Sequence, residues 1–303
     1  MGEIIGAALV AHAPTIMMSP EARRSLNEGK EISLVPGLER LRREVLDRLK
    51  PDTVIVFDSH WFTTVEFCST SHEHRAGLYT SDELPRGIRQ FPYMLKGNPA
   101  LGRAIAEEAT KCGVRTTAID DPYLPIHYPT INMNHYLGRG EEWLTVSCCQ
   151  TADTEDFLGV GLGVGRAIAA SGRRVLLLAS GSMSHRFWSL RELTKHEASD
   201  PVHLRTAEAR AADQQRLGWF AEGNHAKVID TMPEFLQHAP EARFGHYLMM
   251  VAALGGRECR ARGVRYSDYE NATGTSQVHV SRLLRRALRS LGDQVAPTDD
   301  QAE

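Results

Sequence analysis

Hydrophobic positions follow two different periods along this chain. Continuous apolar runs, typical of strands buried on both faces of a sheet, cover residues 3–11, 53–57 and 174–179. Residues 37–49 instead repeat leucine and valine at helical spacing, with charged residues on the opposite face. This alternation predicts an α/β protein, in which helices flank a central sheet.

Further elements follow from the same pattern and from residues that start and end helices. Asn98-Pro99 is typical of a helix start, and Gly113 is typical of a helix end. The other predicted strands cover 114–119 and 144–148, and the other predicted helices cover 158–170, 202–220, 227–236, 244–254 and 280–291.

Neither an internal repeat nor a linker rich in Pro, Gly or Ser divides the chain. We therefore expect a single α/β domain over residues 1–291, with a mostly parallel or mixed sheet flanked by helices. Residues 292–303 are polar and poor in apolar side chains, which predicts a disordered carboxyl-terminal tail. Open α/β sheets bind ligands at the carboxyl ends of their strands. The active site is expected at that edge.

Composition and charge argue against two classes of partner. The 303 residues include 35 basic and 38 acidic side chains without a long run of one sign, so nothing indicates binding to nucleic acid or to a membrane surface. No apolar segment approaches the length of a membrane span or a signal sequence. Five cysteines, an odd number without regular spacing, are typical of a reducing compartment. The sequence therefore predicts a cytoplasmic protein.

Three motifs resemble known sites but lack a required feature. The glycine-rich run 159–165 never reaches the G-x-G-x-x-G spacing of a dinucleotide loop, so we interpret it as the glycine-rich start of a helix. The serines of the run 180–185 lack a glycine that a nucleophile elbow requires. His72-Glu-His74 lacks the H-E-x-x-H spacing and is expected to be solvated. Six further histidines have no convincing partner: His196, His203, His225, His238, His246 and His279.

Histidines also follow each of the three apolar runs. His12 comes after the first run, His60 after the second, and His185 a few residues beyond the third. Because the carboxyl ends of strands meet at one edge of an open sheet, His12 and His60 are candidates for one metal site. The alternative for either residue alone is an ordinary core or loop histidine. His127 lies between prolines in a loop, where no regular element requires it.

A carboxylate would complete such a metal site. Glu241 is attractive because it follows Pro240 and precedes the apolar helix predicted from Phe244. Composition and spacing alone do not select it over other acidic residues. Two imidazoles and one carboxylate on one face of an octahedron leave three open positions, which suits Fe(II), a chelating substrate and O2 together.

Four segments resemble one enzyme family. They are VFDSHWF (56–62), GLYTSDELP (77–85), ASGSMSHRF (179–187) and ATGTSQ (272–277). Their order and spacing are similar to those of the type III extradiol ring-cleavage dioxygenases, which share the fold of the protocatechuate 4,5-dioxygenase β subunit. Within that family the resemblance is strongest to the branch that cleaves 3,4-dihydroxyphenylacetate (homoprotocatechuate). It extends from His12 to about Gln277.

The resemblance implies a function for each candidate residue. It implies that His12, His60 and Glu241 bind Fe(II) and that His185 is the acid–base catalyst. This branch suggests an acidic residue near position 127, whereas the protocatechuate branch has histidine, so His127 is expected to orient substrate or assist proton transfer. The run EARFGH (241–246) also departs from the glycine-rich stretch expected there.

The implied reaction is O2-dependent extradiol cleavage of a catechol to a ring-opened semialdehyde, in aromatic-compound degradation, by a homo-oligomer. The branch points to a para side chain that ends in a carboxylate. Arg186 and Arg243 neighbour the candidate site in sequence, and a guanidinium pairs bidentately with a carboxylate. The alternative for each arginine is that it is solvated or braces a backbone carbonyl.

Other functions remain open at this point. A 2-aminophenol or a multi-ring catechol could replace the simple catechol as substrate. A zinc-dependent hydrolase could use the same ligands, and a non-catalytic binding protein could share the fold.

Overall fold

A mixed sheet of nine strands runs through the part of the chain that the computed structural model describes, which comprises residues 1–26, 29–81, 88–185, 189, 191–192, 206–268 and 281–283. Its main strand order is β4-β5-β7-β2-β8-β1-β9, and β3 pairs with β6 and β7. The strands are β1 (Glu3–Val10), β2 (Thr53–Thr63), β3 (Phe67–Thr70), β4 (His74–Tyr79), β5 (Phe91–Lys96), β6 (Thr116–Ile119), β7 (Glu142–Cys149), β8 (Arg174–Ser180) and β9 (Ser281–Leu283).

Helices connect most of these strands. They are α1 (Pro20–Leu26), α2 (Leu34–Leu41), α3 (Asp47–Leu49), α4 (Pro99–Lys111), α5 (Tyr128–Leu137), α6 (Thr154–Ser171), α7 (Ala207–Glu222), α8 (His225–Asp230), α9 (Met232–Leu236) and α10 (Gly245–Ala253). A π-helical turn (Arg42–Leu46) joins α2 to α3, and 3-10 turns cover Pro14–Met17, Glu241–Phe244 and Gly256–Glu258. None of the described helices is long and apolar enough to span a bilayer.

The central strands β7, β2, β8 and β1 run parallel to one another. Successive side chains alternate between two cores, as the pleat of a strand requires. Leu9 and Phe57 face the core formed with α4, α6 and α10, whereas Val10 and Val56 face the core formed with α2 and α5. The sheet is therefore the middle layer of an α/β fold, which confirms the predicted fold class. Its parallel strands bring the residues after β1 and β8 to the edge where the last residues of β2, including His60, lie.

The predicted helix over 158–170 exists but begins earlier, at Thr154. Asp153 caps it in a capping box, which places the glycine-rich run in the middle of the helix rather than at its start. A Cβ atom on Gly161 would lie 2.2 Å from the carbonyl oxygen of Met249, and one on Gly163 would lie 2.4 Å from the Ala109 nitrogen. The two glycines therefore allow α6 to pack directly on the backbones of α10 and α4.

Two other helix predictions need correction. The predicted helix over 227–236 is divided into α8 and α9 at Thr231, two residues before Pro233, which has no N–H to donate to a continuous helix. The predicted helix over 280–291 is wrong at its start, because β9 pairs antiparallel with the edge of β1. Residues 284–303, including the predicted tail over 292–303, lie outside the described residues.

His72 is buried, contrary to the expectation that His72 and His74 are both solvated; only His74 is exposed. The segment between β3 and β4 folds inward against Gly97, where an added Cβ atom would lie 2.9 Å from the His72 ring. Neither ring nitrogen of His72 has a hydrogen-bond partner among the described residues. Burial lowers the pKa of His72 to about 4, and the charge of Arg75 acts in the same direction.

This burial predicts acid sensitivity. Between about pH 6.5 and about pH 4 the unfolded chain binds a proton at His72 that the folded chain excludes. Stability present at neutral pH is therefore lost as the pH falls, by about 3 kcal/mol for such a shift on one histidine. We expect His72→Leu to flatten this loss in urea denaturation of chelator-treated protein across that range. His74→Leu is the control, and an unchanged pH dependence in His72→Leu would contradict the assignment.

Candidate metal centre and active site

Three side chains that can ligate a metal converge at one edge of the sheet. His12, His60 and Glu241 each offer a ligand atom, and these atoms lie within 4.8 Å of one another. The Nε2 atoms of His12 and His60 lie 3.3 and 3.2 Å from Oε1 of Glu241. When both imidazoles are neutral, two nitrogen lone pairs and a carboxylate oxygen face one point, and a cation there would relieve their repulsion. The donor set therefore fits one divalent metal ion.

His12 is positioned by contacts with three elements. It lies two residues beyond β1, where Pro14 starts a 3-10 turn instead of continuing the strand. Asn132 of α5 donates a hydrogen bond of 3.1 Å to the His12 carbonyl oxygen. The Nδ1 atom of His12 lies 3.1 Å from Oγ of Ser180, the last residue of β8. A bond at Nδ1 orients the ring and leaves Nε2 for a metal.

An irregularity in β2 directs His60. The register of β2 against β7 shifts between Asp58 and Phe62, so residues 59–61 form an irregular segment outside that register. One carboxylate oxygen of Asp58, which is completely buried, accepts hydrogen bonds from the backbone N–H groups of His60 (2.9 Å) and Trp61 (3.1 Å). The other oxygen accepts from the backbone N–H and the hydroxyl of Thr130 in α5. Asp58 therefore joins this irregular segment to the first turn of α5.

Serine hydroxyls hold the carboxylate of Glu241. Ser59 donates to Oε1, and Ser182 donates to Oε2 through its backbone N–H (2.7 Å) and its hydroxyl (2.5 Å). Burial alone would raise the pKa of Glu241, but the proximity of His12 and the hydrogen bonds with His12 and His60 outweigh it and keep the pKa well below its usual range. The group is therefore a carboxylate, the form that ligates metals.

The backbone after Glu241 is strained. Ala242, Arg243 and Phe244 have φ angles of 45°, 56° and 61°, in the left-handed region that favours glycine. Each such residue costs about 1–2 kcal/mol. Burial of Phe244, whose ring stacks on Tyr247 at 4.7 Å, offsets part of this cost. The glycine-rich stretch implied by the family resemblance suits this turn, and here three other residue types adopt it.

The loop that follows β8 is bonded to the segment that contains Glu241. The Glu241 backbone N–H donates to the Met183 carbonyl at 3.1 Å, and the His185 N–H donates to the Ala239 carbonyl at 3.2 Å. These two bonds place His185 at the same edge of the sheet as the metal-ligand cluster.

The serines beside His185 have structural partners. The hydroxyl of Ser182 donates to Glu241, and that of Ser184 donates to the buried carboxylate of Asp213 at 2.6 Å. Both hydroxyls therefore support the loop, in agreement with the interpretation that it is not a nucleophile elbow.

His127 lies at the position that caps the amino end of α5. Its ring stacks on the ring of Trp61, the residue that follows His60, with centroids 6.4 Å apart. Tyr128 follows, buried, with its hydroxyl 2.9 Å from Nε2 of His60. His127 and His185 thus both come close in sequence or in space to the metal-ligand cluster.

Neither of the two candidate substrate arginines has a described contact with the metal-ligand cluster. Arg243 is exposed, and its guanidinium has no ion pair or hydrogen bond within the described ranges. Arg186 lies outside the described residues.

Two of the histidines without a predicted partner are core residues. The ring of His225 bonds to the Tyr247 hydroxyl and to the Ala261 carbonyl, each at 2.7 Å. His246 is completely buried against Gly181, where an added Cβ atom would lie 2.5 Å from its ring, and burial lowers its pKa to about 4.

Sequence reasoning missed several residues that shape the site: Asp58, Ser59, Tyr128, Ser180 and Ser182. The signal in the sequence was the presence of polar residues inside a strand that is otherwise apolar. Asp58 and Ser59 interrupt an otherwise apolar strand, and buried polar groups of this kind need specific partners.

The chain belongs to a family of ring-opening enzymes. Residues 6–276 match the model of the "catalytic LigB subunit of aromatic ring-opening dioxygenase". The protein is therefore an oxidoreductase of the dioxygenase class that acts in aromatic catabolism.

Individual relatives agree with this class. The chain is 30% identical to 3,4-dihydroxyphenylacetate 2,3-dioxygenase of Escherichia coli, over 84% of this chain and 91% of the relative. It is 27% identical to the 2-aminophenol 1,6-dioxygenase β subunit of a Pseudomonas species, over 84% and 86% of the two chains. The crystal structure of an uncharacterized Escherichia coli K12 protein shares the fold, with a TM-score of 0.60 and 16% identity over 92% of this chain and 99% of that chain.

The strained turn gives a stability prediction. We expect Ala242→Gly to raise the free energy of unfolding by up to about 1 kcal/mol, because relief of left-handed strain exceeds the added entropy of the unfolded chain. Ala211→Gly, at an exposed position inside α7, should instead lower it by about 0.5–1 kcal/mol. Chemical denaturation measures both. Equal destabilisation by the two variants would show that residue 242 is not strained.

Proposed function

We propose that this protein is an Fe(II)-dependent extradiol dioxygenase that opens a catechol ring with O2. The observation that carries the proposal is the convergence of His12, His60 and Glu241 in a chain of the ring-opening family. Two imidazoles and a carboxylate on one face of an ion leave three positions for other ligands. That ligand set favours iron because a catechol needs two positions and O2 needs one.

Bound iron would hold the catechol and O2 side by side and conduct electron density between them. The protein supplies the positions and the proton transfers. Ser180 orients the imidazole of His12, Asp58 fixes the backbone that carries His60, and Ser59 and Ser182 hold the carboxylate. This network keeps the ligand atoms in place without help from substrate.

His185 is proposed as the acid–base catalyst. An imidazole can take a proton from the catechol and later return one, because it exchanges protons close to neutral pH more readily than other side chains. The bond from the His185 N–H to Ala239 keeps it beside the Glu241 segment. His127 is proposed to orient substrate or assist in proton transfer, since its ring stacks on Trp61 beside His60.

A catechol with a carboxylate side chain, such as 3,4-dihydroxyphenylacetate, is the proposed substrate. The relative that is 30% identical acts on that compound by name. The second candidate is 2-aminophenol, supported by the 27% identity to a subunit of an enzyme named for it. We also propose that the protein functions as a homo-oligomer.

The metal site is tested by loading the protein anaerobically with Fe(II), adding a catechol in air, and recording O2 uptake and visible absorbance. We expect His12→Ala, His60→Ala and Glu241→Ala to lose iron and nearly all activity. His185→Ala should keep its iron and bind catechol but turn over about 100- to 10,000-fold more slowly. Glu258→Ala, at an exposed acid, is the control for Glu241→Ala.

The outcomes separate the candidate classes. Zinc retention without O2 uptake would support a hydrolase. Full iron content and normal turnover in Glu241→Ala would refute the ligand assignment, and iron loss in His185→Ala that excess Fe(II) repairs would make His185 a ligand.

Substrate choice is tested on 3,4-dihydroxyphenylacetate, its methyl ester, 4-methylcatechol and 2-aminophenol. If Arg243 anchors the carboxylate, Arg243→Gln should lower kcat/KM for the free acid by about 10-fold or more and spare the ester, because the lost bond is charge-assisted. Arg40→Gln, at another exposed arginine, is the control. Equal turnover of charged and uncharged substrates would refute the carboxylate anchor and leave ring cleavage intact. A preference for 2-aminophenol would favour the second candidate.

A further inference from the structure

Asp213 is a buried carboxylate of α7 that no step of the proposed reaction uses. The residue is completely buried, and both of its oxygens accept hydrogen bonds from Ser184. The backbone N–H of Ser184 donates to Oδ1 at 3.1 Å, and its hydroxyl donates to Oδ2 at 2.6 Å. A carboxylate removed from water is costly unless such donors replace its hydration. The pair of bonds fixes the side chain and the backbone of Ser184 at once.

Arg216, one turn further along α7, anchors the helix that carries Asp213. Its guanidinium donates to the Thr231 carbonyl at 3.1 Å and to the Thr231 hydroxyl at 3.2 Å, and the central guanidinium carbon lies 3.8 Å from the centre of the Phe235 ring. Burial lowers the pKa of Arg216 to about 10, and the charge of Asp213 opposes that shift. Arg216 is therefore a cation at neutral pH, and α7 is fastened to the junction of α8 and α9.

The backbone on either side of Ser184 is fastened to a second segment. Residues 183–185 are bonded to residues 239–241 by two backbone hydrogen bonds of 3.1 and 3.2 Å, and Ser184 forms an antiparallel bridge with Pro240. Asp213 bonds the middle residue of the same stretch from α7. Two elements therefore hold three consecutive residues, and the last of the three is the proposed acid–base catalyst.

We propose, on the basis of the proposed function, that Asp213 is a positioning residue for His185. Through Ser184 it fixes the backbone from which the imidazole extends. A general acid or base must lie within hydrogen-bond reach of the proton that it moves. A displacement of about 1 Å in an active site can cost about 100-fold in rate. Asp213 thus acts on the rate of proton transfer without contact with the substrate or the metal.

The experiment measures kcat, KM and iron content of Fe(II)-loaded variants with a catechol in air. Asp213→Ala removes both acceptors, and we expect kcat to fall by about 10- to 100-fold through misplacement of the imidazole. KM and iron content should stay within about threefold of the wild-type values, because the lost bonds do not involve substrate or metal. Asp213→Asn keeps an acceptor for the Ser184 N–H and should restore most of the lost kcat.

A second background separates positioning from general damage. In His185→Ala the group that Asp213 positions is absent, so addition of Asp213→Ala should cause no further loss of kcat. Ser184→Ala removes only the hydroxyl bond to Asp213. It should lower kcat by about 3- to 10-fold when His185 is present and leave kcat unchanged when His185 is absent.

Glu142→Ala is the matched control. Glu142 is a buried carboxylate at the first residue of β7, and it accepts hydrogen bonds from Thr53 and Asn98. That residue lies at the opposite end of the strands from the metal-ligand cluster, so its loss should reduce stability and leave kcat unchanged.

The outcomes separate the inference from the proposed function. Equal losses of kcat with and without His185 would overturn the inference, as would loss of iron in Asp213→Ala. If Asp213→Ala does not fold, the same comparison with Ser184→Ala decides between these results. A wild-type protein that takes up no O2 with any catechol would instead refute the proposed function, and the inference with it.

Discussion

The candidate site depends on the hydrogen bonds to the carboxylate of Glu241, whose side chain is only 10% exposed. A carboxylate removed from water is costly unless hydrogen bonds or opposite charges replace its hydration. Here Ser59 and Ser182 supply the donors, and the imidazoles of His12 and His60 face the remaining lone pair. These partners come from the ends of different strands. The parallel order of β1, β8 and β2 is therefore a condition for the charge to be stable where it is.

The same network explains how the fold and the chemistry are related. The long parallel strands supply rigid ends, and the side chains that ligate or orient lie within a few residues of those ends. A register shift in β2 and a strained turn depart from regular geometry after Asp58 and at Ala242. Both departures occur next to proposed ligands, where local strain is commonly found in functional sites. The packed strands and helices supply the free energy of folding that offsets the cost of these two irregular segments.

Much of this architecture could be predicted from the sequence. Strands buried on both faces leave continuous apolar runs, so β1, β2 and β8 were recognisable, as were the histidines that follow those apolar runs. The left-handed turn at Ala242 could not be predicted, because no glycine marks it and the bonds that hold Glu241 beside it come from Ser182 and Met183, far along the chain. The burial of His72 depends on contact with Gly97, which lies far along the chain. The serines that hold Glu241 are chosen by tertiary contacts that no local pattern encodes.

The backbone bonds that join the loop after β8 to the Glu241 segment have a mechanical consequence. Met183 and His185 are tied to Glu241 and Ala239, so the proposed acid–base group and a proposed ligand belong to one small pleated unit. Such a unit opens and closes cooperatively rather than residue by residue. Thermal fluctuation would then misalign the proton donor and release the carboxylate together. A partly opened molecule would then lose its metal site and its acid–base group together. It would be inactive, and it would not keep a bound metal without the proton donor.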